Sequence, residues 1–156
     1  MKRLAIILAL LIAAPAAIAC ETFTIGDITV EQVWSRASIG TQRPGVLYVT
    51  IRNEGAADDA LVSISTPIAE QPMLHETTVE DGVASMPHAM RVPVPAGQTV
   101  ELRPGGYHGM LMGLTRTLEE GASFPVTLTF EQAGELTVSA EVLSMRAEAP
   151  ACDAAQ

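Results

Sequence analysis

Beyond residue 20 the apolar positions recur mainly with a period of two, in runs short enough to be strands. Segments 27–34 (DITVEQVW), 45–52 (GVLYVTIR), 60–66 (ALVSIST), 73–79 (MLHETTV), 83–90 (VASMPHAM), 98–103 (QTVELR), 107–112 (YHGMLM), 123–130 (SFPVTLTF) and 135–143 (ELTVSAEVL) each read this way. Turn residues separate them: 53-NEGAAD-58, Asp81-Gly82 and Pro104-Gly105-Gly106. Only 115–120 leaves room for a helical turn, and no internal repeat is visible. Short strands with a turn every eight to twelve residues predict an all-β sandwich or barrel.

Two turns fix which side chains share a face. Asp81-Gly82 is a strong signal for a two-residue type I′ hairpin, which needs positive φ at both central positions. In that register Glu80 faces Val83, Thr77 faces Met86 and His75 faces His88, with Met86 a diagonal neighbour of His75 on the same face. A one-residue slip would send Met86 to the other face. Pro87 cannot donate to a ladder, so the second strand is expected to distort or end there. Arg103-Pro104-Gly105-Gly106 fits a type II turn. In the strand after it, His108, Met110 and Met112 share one face, and Tyr107, Gly109 and Leu111 the other. Gly109 leaves the backbone open to close approach.

The chain begins MKRLAIILALLIAAPAAIAC: a basic start at Lys2 and Arg3, an apolar stretch over 4–14, and the small-x-small site Ala17-Ile18-Ala19. This predicts a secretory signal peptide over 1–19. Its apolar run is too short for a membrane span, and no later run is longer. The expected organisation is a β domain over 20–145 and a loose Ala-rich tail over 146–156, exported to the periplasm. Nine Lys and Arg stand against 18 Asp and Glu; removing Lys2 and Arg3 leaves seven against 18, a balance of −11. Such a surface repels phosphate backbones and anionic lipid, arguing against nucleic acid and membrane surfaces as partners. The two cysteines, Cys20 and Cys152, stand at opposite ends of the exported chain. A Cys20–Cys152 bridge, a free Cys152 and a lipidated Cys20 all stay open. The plain signal peptide is preferred over a lipoprotein because the usual Leu three places before the cysteine is missing.

The remaining chemistry lies in His and Met. Thioether sulfur is soft and neutral, imidazole nitrogen is borderline, and together they suit Cu(I). Zinc sites use Cys, His and carboxylate, and calcium and magnesium want oxygen. Taken singly, a strand Met is usually core, so Met73, Met90 and Met145 are assigned there, with Trp34 and Tyr48. The joint spacing is another matter. His75, ten residues, Met86, twenty-one residues, His108, one residue, Met110 is expected by chance in on the order of one in ten thousand sequences.

This spacing resembles the motif of the PCuAC-type periplasmic copper chaperones. The surroundings are similar too: LHETTVEDGV, VPAGQTVELRPGGYHGMLMGL, and WSRAS with GVLYVTIRN upstream. The resemblance covers about residues 27–143. It implies a cupredoxin-like Greek-key β-sandwich or barrel that binds Cu(I) and delivers it to the copper centre of cytochrome c oxidase, alongside Sco-type proteins. It also implies His75, Met86, His108 and Met110 as ligands, with Met112 in reserve and His88 beside them. The family often carries a Met- and His-rich tail; this tail has neither after Met145.

Three other functions are weighed against a carrier. Copper buffering or resistance would use the same residues. A structural β-sandwich with an incidental Met/His pattern would bind no copper. A redox enzyme or blue-copper carrier would need a Cys ligand in the region, and none is there; no Ser sits in a nucleophile elbow either. The expectation is a non-enzymatic carrier.

Overall fold

A computed structural model describes residues 21–150 and Cys152; residues 1–19, where a leader is expected, Cys20, and residues 151 and 153–156 lie outside the described residues. Twelve strands follow in order: β1 (Thr22–Ile25), β2 (Ile28–Arg36), β3 (Gly45–Asn53), β4 (Asp59–Ser65), β5 (Ala69–Glu76), β6 (Thr78–Glu80), β7 (Val83–Ser85), β8 (Val92–Val94), β9 (Thr99–Leu102), β10 (Tyr107–Leu114), β11 (Ser123–Phe130) and β12 (Gly134–Leu143). No helix forms over 115–120. The all-β expectation holds, and the nine expected strands are all present. Two short strands, β1 and β8, were not expected. The segment 83–90 is strand only to Ser85, and β5 and β6 are separated at Thr77.

Ten strands make one sheet in the order β5-β10-β3-β2-β12-β11-β4-β8, with β1 on β2 and β9 on β3. β4 packs against β5 across the corner between them, so the sheet rolls into a nearly closed barrel. β3 serves two neighbours along one edge: Leu47 pairs with Gly109 of β10, and Val49 with Leu102 of β9. β2 and β12 run parallel, Trp34 opposite Glu141, amid antiparallel pairs. Period-two alternation fills the interior with Ile28, Val30, Leu47, Val49, Ile51, Leu61, Leu111, Phe124, Leu128 and Val142, all essentially out of water. At about 1.5–3 kcal/mol for each large buried side chain, this is the dominant favourable contribution.

Polar groups hold the corners. Asn53 donates its side-chain amide to the carbonyls of Ala57 (2.8 Å) and Val94 (3.0 Å), and its Oδ1 accepts from Gly55 N–H (2.9 Å). The buried Asp59 accepts from the N–H groups of Ala60 (2.7 Å), Gln132 (2.9 Å) and Ala133 (3.0 Å). In β2 one extra residue lies between Glu31, opposite Thr50, and Trp34, opposite Tyr48. Gln32 absorbs this bulge with φ of 53°, and its Oε1 accepts from Thr50 Oγ1 (2.9 Å). Trp34 and Tyr48 are buried with ring centroids 4.5 Å apart, as expected of core aromatics. Burial raises the Tyr48 phenol above its ordinary range, partly opposed by the Arg36 guanidinium over its ring.

The carboxyl-terminal stretch runs back over β2. Arg36 Nε donates to the Ala147 carbonyl (2.8 Å), Pro150 is buried, and Cys152 is disulfide-bonded rather than free.

Candidate metal centre

The β6–β7 ribbon adopts the register that Asp81-Gly82 predicts. Glu80 lies opposite Val83 and Thr78 opposite Ser85, with φ of 51° at Asp81 and 80° at Gly82. The ladder breaks beyond Ser85 and re-forms at one bridge, His75 opposite His88, in unchanged register. Pro87 removes one bond of its pair and keeps the other, because its carbonyl still accepts from Glu76 N–H (3.2 Å). Ala89 N–H then donates to the Leu74 carbonyl (2.8 Å). His75 and His88 therefore form a non-hydrogen-bonded pair, the closer of the two antiparallel pair types. Their ring centroids are 5.8 Å apart, edge to face.

On its other side β5 pairs with β10. His75 lies opposite His108, Met73 opposite Met110, and Gln71 opposite Met112. Directly paired residues project to the same face, and the His75 and His108 centroids are 6.1 Å apart. The opposite face carries Leu74, Gly109 and Leu111, all buried in the core. Gly109 is there because no Cβ fits: one would stand 2.8 Å from Ile64 Cδ1 and 2.9 Å from Leu47 Cβ.

The imidazoles are oriented by main chain. His75 Nδ1 is 2.9 Å from the Met86 carbonyl, and His108 Nδ1 is 3.0 Å from the Gly106 carbonyl. A carbonyl only accepts, so each Nδ1 carries the proton and donates. In the neutral ring Nε2 then keeps its lone pair, the tautomer a metal ligand needs. His75 Nε2 is buried and has no hydrogen-bond partner. A buried nitrogen left unpaired costs about 1–3 kcal/mol unless something binds it. Among the described residues no three of His, Cys, Asp and Glu come together as a ligand group, and the register puts Met110 and Met73 next to the two imidazoles on their face. That is the soft donor chemistry of Cu(I) rather than of zinc or calcium.

The expected residues are thus placed as follows. His75 and His108 are adjacent, with His108 only 6 % exposed. Met110 follows His108 on the same face. Met86 gives its carbonyl to His75 and is itself 54 % exposed. His88 joins the row on the far side of His75, and Met112 lies beyond Met110 at the fringe. The core assignment of three methionines is corrected. Met90 and Met145 are exposed, and Met73 is half-buried on the imidazole face, directly opposite Met110. The alternation that put Met110 beside His108 also puts Met73 beside His75.

Beside the row, Tyr107 pairs with Glu76. Burial, and then the charge and hydrogen bond of Glu76, hold the Tyr107 phenol above its usual range.

Comparison with known proteins bears on the family and the fold. The family model described as "Putative lipoprotein LpqE-like" matches residues 28–142, well over half of the chain. The putative lipoprotein Lxx21020 of Leifsonia xyli subsp. xyli is 33 % identical over 116 residues, covering 74 % of this chain and 69 % of the relative. Among solved structures, the apo PCuAC domain from PmoF1 superposes with a TM-score of 0.69 at 27 % identity, over 80 % of this chain and 99 % of that one. The Cu(I) form of DR1885 from Deinococcus radiodurans gives 0.62 at 30 % identity, over 82 % and 83 %. The family match and the shared fold lead to one conclusion: the chain belongs to the LpqE-like family and is a β domain of the PCuAC type.

Proposed function

We propose that this protein binds Cu(I) outside the cytoplasm through His75, Met86, His108 and Met110 and carries it, without turnover, to an acceptor protein. The observation that carries the reading is the buried, unpartnered Nε2 of His75, on a ring whose Nδ1 donates to a carbonyl, beside a second ring held the same way. Two neutral imidazoles and two thioethers add no charge, so they hold Cu(I) without the thiolate grip that would resist its release. The similarity to Cu(I)-loaded DR1885 supports the choice of metal. The leader-like start and the lipoprotein description of the relatives support export to the periplasm. The acceptor suggested by resemblance is the oxidase copper subunit or a Sco-type protein. Buffering without an acceptor is the competing outcome, distinguished by whether Cu(I) passes to an apo acceptor domain.

The test is anaerobic Cu(I) competition against a coloured chelator, with Met86→Leu/Met110→Leu in parallel. These substitutions delete sulfur and keep the Met86 carbonyl that orients His75, so the fold and the imidazoles stay in place. One tight equivalent in the wild type and a loss of at least about tenfold, or 1.4 kcal/mol, in the variant is expected. Equal affinity in the two proteins would remove the thioethers from the ligand set.

A further inference from the structure

The ligand-type residues do not stop at the four proposed above. Two antiparallel registers meet on β5 and continue the array outward. In the first row His108, His75 and His88 stand side by side, with centroid spacings of 6.1 and 5.8 Å. In the next row Met110 lies opposite Met73. The register that sets His88 opposite His75 runs on through the Ala89–Leu74 bond, and the chain then bends at Met90, the next residue, beside the Met73 end of that register. These rows hold every histidine of the chain.

Exposure rises along both rows. His108 is buried, His75 is half-buried and His88 is exposed; Met110 and Met73 are half-buried and Met90 is 78 % exposed. Burying one such Met elsewhere would stabilise the fold by about 1.5–3 kcal/mol, and the fold leaves Met90 in water. The chain is also brought back to β5 after Pro87 by two backbone bonds, when it could have left the ladder there.

We propose that Met73, His88 and Met90 form a second, outward position for a soft monovalent cation, next to the inner set and more open to solvent. Two thioethers and one imidazole are a complete three-coordinate soft set. The position rests on the copper reading above, and its use would be to hold the ion at the surface on its way in or out. Met73 borders both positions, because it pairs with Met110 on one side and its strand neighbour Leu74 bonds to Ala89, next to Met90, on the other.

The experiment uses Ag(I), a redox-inert soft cation, titrated into protein with labelled methionine methyl groups and followed by NMR. The first equivalent is expected to shift the Met86 and Met110 methyls, and the second those of Met73 and Met90 with the His88 ring. Met145, exposed and away from the rows, is the internal reference. In Met73→Leu/Met90→Leu the second event should be lost and the first kept. In Met86→Leu/Met110→Leu the Met73 and Met90 shifts should survive, with amide dispersion confirming the fold. Shifts confined to Met86 and Met110 would overturn the outward position and leave the inner site standing. Shifts confined to Met73 and Met90 would uphold it and overturn the inner site. All four methyls moving together at one equivalent would overturn the separation into two positions. No shift at all would overturn both.

Discussion

Replacing Gly109 with Ala tests whether the imidazole face is backed by close packing. The added Cβ would lie 2.9 Å from Leu47 Cβ, where directly opposite Cβ atoms are ordinarily about 4.5–5.5 Å apart. The clash with Ile64 Cδ1, at 2.8 Å, is at the end of a flexible side chain and can be relieved. The one with Leu47 cannot, because Leu47 Cβ is fixed to β3. β10 must therefore separate locally from β3. Overpacking costs about 1–3 kcal/mol and removing a strand glycine returns about 0.5–1, so a net loss of about 1 kcal/mol is expected. With a urea m-value of about 1–3 kcal/mol/M, the unfolding midpoint should fall by about 0.5 M at unchanged m. Gly106→Ala is the matched control. Its nearest neighbour would be Arg103 Cγ at 3.7 Å, its φ is not positive, and it should be neutral or slightly stabilising. A Gly109→Ala midpoint equal to or above wild type would refute the packing argument.

Asp59→Ala should cost about 3 kcal/mol in urea or thermal unfolding, because it leaves the N–H groups of Ala60, Gln132 and Ala133 without their acceptor. Asp59→Asn should fall between, since its amide must face one of those donors; an Ala variant as stable as wild type would refute the assignment. Glu76→Gln should bring the Tyr107 ionisation down towards the ordinary phenol range, as it removes the negative charge that disfavours phenolate, and leave Tyr48 in place. Ultraviolet absorbance titration reads both, and an unmoved Tyr107 would count against the pairing. Peptide mapping of the exported protein without reductant should return Cys152 joined to Cys20, the only other cysteine in the chain. A lipidated Cys20, whose sulfur is already a thioether, would rule that link out.

Much of this was legible because turn chemistry is local. Asp81-Gly82 alone dictates the pairing from Glu80–Val83 to His75–His88, and the structure keeps that register across a break. Alternation alone separates His108 and Met110 from Gly109 and Leu111. What escaped was either short or judged in isolation. β8 (Val92–Val94) carries Pro93 and is followed by Pro95, which argues against a strand; it exists because it is an edge strand, where a missing donor faces no neighbour. Met73 reads as core when judged singly, although its offset of two from His75 on the same strand ties it to the imidazole face. The bulge at Gln32 has no sequence signal, since glutamine has no preference for positive φ. The Cys152 bond is one of the alternatives that the sequence leaves open, and no local pattern chooses among them.

That both imidazoles are aimed by main-chain carbonyls, those of Met86 and Gly106, has a consequence for mutational robustness. Histidines oriented by a carboxylate lose their orienter to one side-chain substitution. Here no side-chain substitution can delete either acceptor. Point changes at positions 86 and 106 alter sulfur or bulk and leave the tautomers as they are. The vulnerable quantity is the count of residues between the histidines and their acceptors. One residue inserted at Asp81-Gly82 would move the Met86 carbonyl out of register, turning its side chain to the other face. The aim of His75 is therefore encoded in chain length, and single-residue insertions and deletions, rather than substitutions, are the changes that disarm it.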